Sequence, residues 1–279
     1  MSGARVVVVS DSHLSARVAD TGRNWSAALR YVDAVQPDLV VHVGDVSMDG
    51  ARDAQDLSYA RSQMDRLSAP WLAIPGNHDL GDTASPHIDP DDVVTADRVT
   101  RWCDLFGPDH WAADLGGWRL VGLNAQLFGT GLPAEADQWE FVARELARPD
   151  GAQRRLLLVV HKPIAASRAE LAAAPPYRFV PAPAREALWE RAKDGGVRAV
   201  LSGHVHQGRA FQVDGVTQLW APTTWAVLPE SMQRTIGSRR CGVMRLELPE
   251  DGPPVHAVVE PEGMAQLVIP EGLPYPPSR

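Results

Sequence analysis

Arg5-Val6-Val7-Val8-Val9-Ser10-Asp11-Ser12-His13 is the stretch on which the fold turns. Four consecutive valines favour extended backbone, and with no polar alternation they predict a strand (Arg5–Ser10) covered on both faces. Two ionisable groups follow at once. The same grammar recurs twice: Leu39–Val43 runs into Gly44-Asp45, and Trp71–Ile74 runs into Pro75-Gly76-Asn77-His78-Asp79. Helical stretches separate the three runs, at Trp25–Val35 and Asp53–Leu67. A β-α-β-α-β order implies a parallel sheet. Parallel strands set their carboxyl ends along one edge, where α/β folds place their ligand sites.

Beyond about Asp109 the pattern changes. Trp111–Leu115 and Trp118–Leu123 flank Gly116-Gly117, a hairpin signal. A helix at Glu135–Ala147, a strand at Leu156–Val160, a helix at Arg185–Lys193 and a strand at Ala199–Leu201 follow. Gly208–Val213 and Thr217–Trp220, joined by Asp214-Gly215, read as a second hairpin, and Gly242–Leu248 and Val255–Val259 as later strands. This order fits a mixed two-sheet sandwich flanked by helices better than one parallel sheet. Neither repeats nor a low-complexity linker mark a boundary, so we expect one domain over 1–269. Residues 270–279, with four prolines, read as an extended or disordered tail.

Composition narrows the function. With 44% hydrophobic and 22% charged residues, the chain has material for a large core. A formal charge of −8 disfavours a surface that tracks nucleic-acid backbone, which needs clustered Lys and Arg. Small phosphorylated substrates fit better. The start of the chain lacks a signal-peptide core, and no apolar run reaches the ~20 residues of a membrane helix, so a cytoplasmic protein that does not enter the membrane is expected. Cys103 and Cys241 are too few for a disulfide framework and read as free thiols.

Five polar clusters end predicted strands: Asp11-Ser12-His13, Gly44-Asp45, Gly76-Asn77-His78-Asp79, His161, and Gly203-His204-Val205-His206. A lone histidine after a strand is ordinarily a hydrogen-bonded loop residue. The coincidence of five clusters carries the weight. Asp11, His13, Asp45, Asn77, His161, His204 and His206 are all metal-binding types, and imidazole with carboxylate suits Mn, Fe, Zn or Co, whereas an all-oxygen site suits Mg or Ca. In an extended His204-Val205-His206 the two imidazoles would face opposite ways, so the turn after Gly203 must let them converge. Gly44, Gly76 and Gly203 are expected to supply freedom for sharp turns. His42, inside an apolar strand, reads as a core histidine; His87 reads as a surface-loop residue, and His110 and His256 as structural.

Taken in order, these clusters resemble the signature of the calcineurin-like metallophosphoesterase superfamily. The resemblance implies an α/β fold, a four-layer α/β/β/α sandwich of two mixed sheets flanked by helices. It implies two divalent transition-metal ions, Mn or Fe ahead of Zn or Co: Asp11, His13 and His206 on the first, Asn77, His161 and His204 on the second, and Asp45 bridging. A metal-bridging hydroxide would attack the phosphate. Asp11, Asp45 and that hydroxide leave roughly one of the four positive charges unbalanced to attract an anion. By the same resemblance His78 faces the leaving-group oxygen as general acid or stabilises the transition state, and Asp79 orients His78 or caps the helix after it.

Within the superfamily the chain looks most like class III cyclic-nucleotide phosphodiesterases and glycerophosphodiesterases. Asp-x-His in the first cluster, the short length and the Gly203–Thr224 segment ending in Pro222-Thr223-Thr224 carry that likeness. Met48 stands where purple acid phosphatases have a metal-binding tyrosine, which disfavours an iron–tyrosinate site. Lys162 replaces a histidine that many relatives carry, and an added ammonium near the metals would favour a more highly charged phosphomonoester, unless it points to solvent. Trp220 and Trp225 bracket a loop on which a flat group can stack, or which they simply pack. Hydrolysis of a small phosphodiester, with a 3′,5′-cyclic nucleotide first, is therefore expected. A phosphomonoesterase, an inactive metal-binding scaffold and a DNA exonuclease are the alternatives, and a homodimer is left open.

Overall fold

The computed structural model describes residues 3–147 and 154–270. Most of the proline tail expected at 270–279 lies outside them. In chain order the strands are β1 (Ala4–Val9), β2 (Leu39–Val43), β3 (Trp71–Ile74), β4 (Trp111–Leu115), β5 (Trp118–Leu123), β6 (Arg155–Val160), β7 (Val197–Ser202), β8 (Arg209–Val213), β9 (Val216–Trp220), β10 (Ala226–Val227), β11 (Val243–Leu248), β12 (Val255–Val259) and β13 (Leu267–Val268). The helices are α1 (Ala19–Val35), α2 (Ala54–Met64), α3 (Asn77–Leu80), α4 (Ala96–Phe106), α5 (Pro133–Leu146), α6 (Arg168–Ala173) and α7 (Ala182–Asp194).

Two large sheets result, ordered β12-β11-β1-β2-β3 and β4-β5-β6-β7-β9-β8, with β10 and β13 forming a small pair. Strands β1, β2 and β3 run parallel, as do β5, β6, β7 and β9; β11, β12, β4 and β8 pair antiparallel. The mixed sandwich is thus as expected. Side-chain alternation builds the layers. Val6 and Val8 face Leu120, Leu157 and Leu201 of the other sheet, whereas Val7 and Val9 face Trp25, Leu29 and Val32 of α1 and Leu57 and Met64 of α2. On the far side Leu156, Leu158 and Val160 pack against Phe141 and Val142 of α5 and Leu188 of α7. The order is helices, sheet, sheet, helices.

Sequence reasoning missed parts of this. Helix α1 begins at Ala19 because its first turns bury polar residues: Thr21 Oγ1 donates to the Val18 carbonyl at 2.8 Å, and Asn24 Nδ2 to the Trp225 carbonyl at 2.9 Å. Hydrophobic periodicity does not register a face buried through hydrogen bonds. Helix α4 had a legible signal that went unused: Thr95 Oγ1 caps the Arg98 amide, Val99 and Trp102 are buried, Trp102 stacks on Phe106, and Gly107 at φ 86° ends the helix.

Candidate metal centre

Asp11, Asp45 and Asn77 follow β1, β2 and β3; His161 and His204 follow β6 and β7. The structure brings all seven residues, and His78, to one end of the sandwich. How the loops turn there is a finding. Asp11 (φ 51°), His13 (45°), Asp45 (53°), His204 (66°) and His206 (55°) adopt left-handed backbone; among the described non-glycine residues only Gln36 and Asp214 also do. Each such residue costs on the order of 1 kcal/mol or more, and Asp and His tolerate it better than most. Left-handed backbone at His204 and His206 is what lets both imidazoles converge.

The glycines therefore serve mainly close approach. A Cβ on Gly76, whose φ of −113° is ordinary, would lie 2.1 Å from Asp45 Oδ1; one on Gly203 would lie 2.1 Å from Ser10 Oγ. Gly44 combines close approach with a positive φ of 91°.

Two donor groups result. Asp11, His13, Asp45 and His206 can present ligand atoms to one ion, and Asp45, His161 and His204 to another, the atoms of each group lying within 4.8 Å of one another. His13 Nε2 lies 3.2 Å from His206 Nε2, and Asp45 Oδ2 lies 3.2 Å from His161 Nε2 and 3.9 Å from His13 Nε2. Among the described residues, buried Asn77 Oδ1 and His161 Nε2 have no hydrogen-bond partner, the Asp45 contact lying outside hydrogen-bond geometry. Buried acceptors without donors are costly unless something positive is shared between them. Imidazoles, carboxylates and an amide oxygen fit a pair of divalent transition-metal ions.

Backbone carbonyls fix the ring tautomers, since a carbonyl only accepts. His161 Nδ1 donates to Val43 O at 2.6 Å and His206 Nδ1 to Ala226 O at 2.6 Å, so each neutral ring offers an Nε2 lone pair. His204 is reversed: Nε2 donates to Tyr177 O at 3.2 Å, which leaves Nδ1 with the lone pair of the neutral ring. His78 Nδ1 donates to Met48 O at 2.7 Å, and its ring meets His13 edge-on at 4.5 Å.

Electrostatics agree with a cation site. Burial, then neighbouring imidazoles, push His13 and His204 well below the usual histidine range, leaving neutral donors. Burial opposes charge on Asp45, but His161 and His78 outweigh it and hold the carboxyl well below its ordinary value. His161 rises to about 9 against burial, because Asp45 and Asp11 surround it. Burial raises Asp11, although Ser10 Oγ donates to its Oδ2 at 2.5 Å.

Of the two roles expected for Asp79, the helix cap is the one its hydrogen bonds show, since it accepts from the amide of Gly76, the N-cap of α3. Its oxygens accept from Val46 N (3.1 Å), Ser47 N (2.8 Å), Ser47 Oγ (2.6 Å) and Gly76 N (2.9 Å), tying the β2 and β3 loops together. Burial and the Asp45 charge raise it to about 6 against those bonds. Lys162 does not point to solvent: it is 2% exposed, its ammonium pairs with Asp82, and its charge is felt by His204. Neither tryptophan offers an open stacking face. Trp220, 1% exposed, packs edge-on against Phe211, and Trp225 is buried with its ring 5.3 Å from His13.

Several working residues escaped sequence reasoning. Thr223 Oγ1 donates to Asp11 O, and Thr224 N to Ser10 O, so the Pro222-Thr223-Thr224 segment buttresses the β1 loop. Gln126 reaches Asn77. Beside the centre a cavity of about 760 Å³ is lined by Lys162, Tyr177, Phe179, Leu171, Ile88 and Ser85, among others.

Against this geometry, the family model of the calcineurin-like phosphoesterases matches residues 4–208. The chain belongs to that family. This calcineurin-like phosphoesterase is 31% identical over 269 residues, 88% of its length and 86% of the other's, to a 3′,5′-cyclic adenosine monophosphate phosphodiesterase of Pseudomonas aeruginosa. It is 29% identical over 151 residues to a serine/threonine-protein phosphatase of Danio rerio, spanning 53% of this chain and 45% of the relative. Its fold matches a dimetal phosphatase from Danio rerio (TM-score 0.60, 13% identity, 92% of this chain and 99% of that one) and a purple acid phosphatase from yellow lupin (TM-score 0.61, 17% identity, 88% and 49%). It is thus a hydrolase of a divalent-metal-dependent family. Among the described residues no helix is long and apolar enough to cross a membrane.

Proposed function

We propose that this phosphoesterase hydrolyses a small phosphodiester, with a 3′,5′-cyclic nucleotide as the leading substrate. The observation that carries the reading is the pair of donor groups sharing Asp45, with the Asn77 amide oxygen left unsatisfied beside the second. Asp11, His13, Asp45 and His206 would hold one ion, and Asp45, Asn77, His161 and His204 the other. Bound there, the pair supplies Lewis acidity and an activated water.

The chain's own groups do the rest. Asp45 accepts from the His78 amide at 2.8 Å, which fixes the His78 turn to the bridging carboxylate. With Nδ1 committed to Met48 O, His78 as the imidazolium donates from Nε2 to the leaving-group oxygen, so the departing alkoxide leaves as an alcohol. The neighbouring cavity has the volume for a nucleoside-sized organic group. Lys162 lines that cavity with its ammonium paired to Asp82, so its charge is already balanced rather than free for a phosphomonoester's second negative charge. That supports the diester over the monoester.

The test is a Mn-reconstituted screen of cyclic AMP, cyclic GMP, glycerophosphodiesters, nucleotides and sugar phosphates, with bis-p-nitrophenyl phosphate set against p-nitrophenyl phosphate. Diester turnover that disappears in Asn77→Ala and His78→Ala supports the reading. Turnover of monoesters alone overturns the diester assignment.

A further inference from the structure

The Asn77 ligand position is set from outside the centre. Its side-chain oxygen has no hydrogen-bond partner among the described residues, so the Asn77 backbone has to be held by other means. Gln126, fully buried in the turn after β5, satisfies both neighbours when its amide oxygen accepts from Asn77 N at 3.1 Å and its nitrogen donates to Asp82 Oδ1 at 3.3 Å. The same Asp82 oxygen takes the Lys162 ammonium, and Lys162 directly follows His161. A continuous chain of contacts results: His161, Lys162, Asp82, Gln126, Asn77. It starts after β6 of one sheet and ends after β3 of the other, so it joins two residues of the second donor group across the sandwich.

Asp82 and Gln126 are themselves anchored. Asp82 N donates to Asp92 O at 2.7 Å, Val94 N donates to Asp82 O at 2.9 Å, and Thr83 N donates to Asp82 Oδ1 at 2.7 Å. Gln126 N donates to Asn124 Oδ1 at 3.0 Å, and Asn124 Nδ2 to Asp109 Oδ2 at 2.8 Å. Apolar residues of similar volume generally serve stability as well as a buried ion pair does, so stability alone is a weak account of this one. Fixing geometry is the better account.

We propose that Lys162, Asp82 and Gln126 are positioning residues that preset the second metal site by holding Asn77 against His161. The inference rests on the two-metal reading above. The first donor group lies outside this chain of contacts except through shared Asp45, so its affinity is the internal control.

The experiment titrates metal-free protein with Mn(II), reading stoichiometry calorimetrically and the spin-coupled Mn–Mn pair by electron paramagnetic resonance. It compares wild type, Lys162→Met and Gln126→Leu. Expected is a weakening of the second Mn by roughly 10- to 100-fold in both variants, with loss of the coupled signal at concentrations that saturate wild type. The first Mn should bind as before, which also reports an intact fold. Lys162→Met leaves Asp82 unpaired, and if it does not fold, Gln126→Leu, which changes no charge, decides alone. A Gln126→Leu protein that binds its second Mn like wild type, or loses both ions equally, overturns the brace. Wild type that binds fewer than two Mn overturns the two-metal reading instead.

Discussion

Gly76→Ala isolates the position of the shared carboxylate. The backbone at Gly76, φ −113° and ψ −172°, is one alanine adopts freely, so the substitution brings no strain of its own. Its Cβ would lie 2.1 Å from Asp45 Oδ1 and 2.4 Å from Asp45 N, where contacts under 3.0 Å essentially never occur. Asp45 or the Gly76 turn must move by about 1 Å. Asp45 Oδ1 also holds the His78 amide at 2.8 Å, so the carboxylate and the histidine shift together. A misplacement of this size costs roughly 100-fold in kcat/KM, about 2.7 kcal/mol of transition-state stabilisation. Overpacking costs about 1–3 kcal/mol of stability besides. The assay is kcat/KM on bis-p-nitrophenyl phosphate with Mn content and thermal unfolding measured on the same samples. Gly117→Ala, whose added Cβ meets nothing within 4 Å, is the control and should match wild type. A Gly76→Ala enzyme with full Mn and wild-type kcat/KM would refute the reasoning.

Removing metal should lower the melting temperature. Ligand at 100 times its Kd contributes about 2.7 kcal/mol per site, a shift of roughly 5 °C or more for a chain of this size, and a chelator that leaves the melting curve unmoved would count against the site. Gly22→Ala, inside α1 with nothing within 4 Å of the new Cβ, should raise stability by about 0.5–1 kcal/mol in a urea titration; a loss would mean that the helix start is misread. His42 gives a pH signature: burial, then the His161 charge, takes it from 6.5 down to about 3, so its stabilising contribution is complete above pH 6.5 and is lost as pH falls toward 3. From pH 6.5 to 5 the metal-free protein should lose roughly 2 kcal/mol more than His42→Gln does, and parallel losses would contradict the assignment.

The framework was legible because burial on both faces writes itself into composition. Val6–Val9 and Leu156–Val160 have no polar interruption and Leu39–Val43 only His42, and each run is followed within two positions by an ionisable residue. The seven metal-type residues were legible for the same reason, as polar residues placed where strands end. Residues acting through the backbone were not legible. Met48 and Tyr177 contribute carbonyl oxygens to His78 and His204, which any residue type could supply. Asp79 reads as a partner of His78 or a cap on the helix after it, and it does cap α3 through Gly76 N, but its further hydrogen bonds to Val46 and Ser47 on another loop are a relation that no spacing encodes. Lys162 and Asp82 are 80 positions apart, and although Lys162 reads as an ammonium near the metals or in solvent, nothing in the sequence pairs it with Asp82 until the fold buries them together.

Packed sheets lie about 10 Å apart, too far for short Asp, Asn and His side chains from both to share an ion. At this end the sandwich must close, and the hydrogen bonds show how it does. His161 Nδ1 reaches Val43 O, His204 N lies 3.1 Å from Asp11 Oδ1, and Thr224 N reaches Ser10 O, each crossing from one sheet's loops to the other's. Gly203 sits against Ser10, and Gly44 against His161, with no room for a Cβ. Both donor groups draw on both sheets, His206 joining Asp11, His13 and Asp45, and His161 and His204 joining Asp45. An ion held by either group would therefore fasten the two sheets at the edge where left-handed turns make the backbone costly. That is why metal removal and the Gly76→Ala substitution, one acting on the ions and one on a loop, should both appear in stability as well as in catalysis.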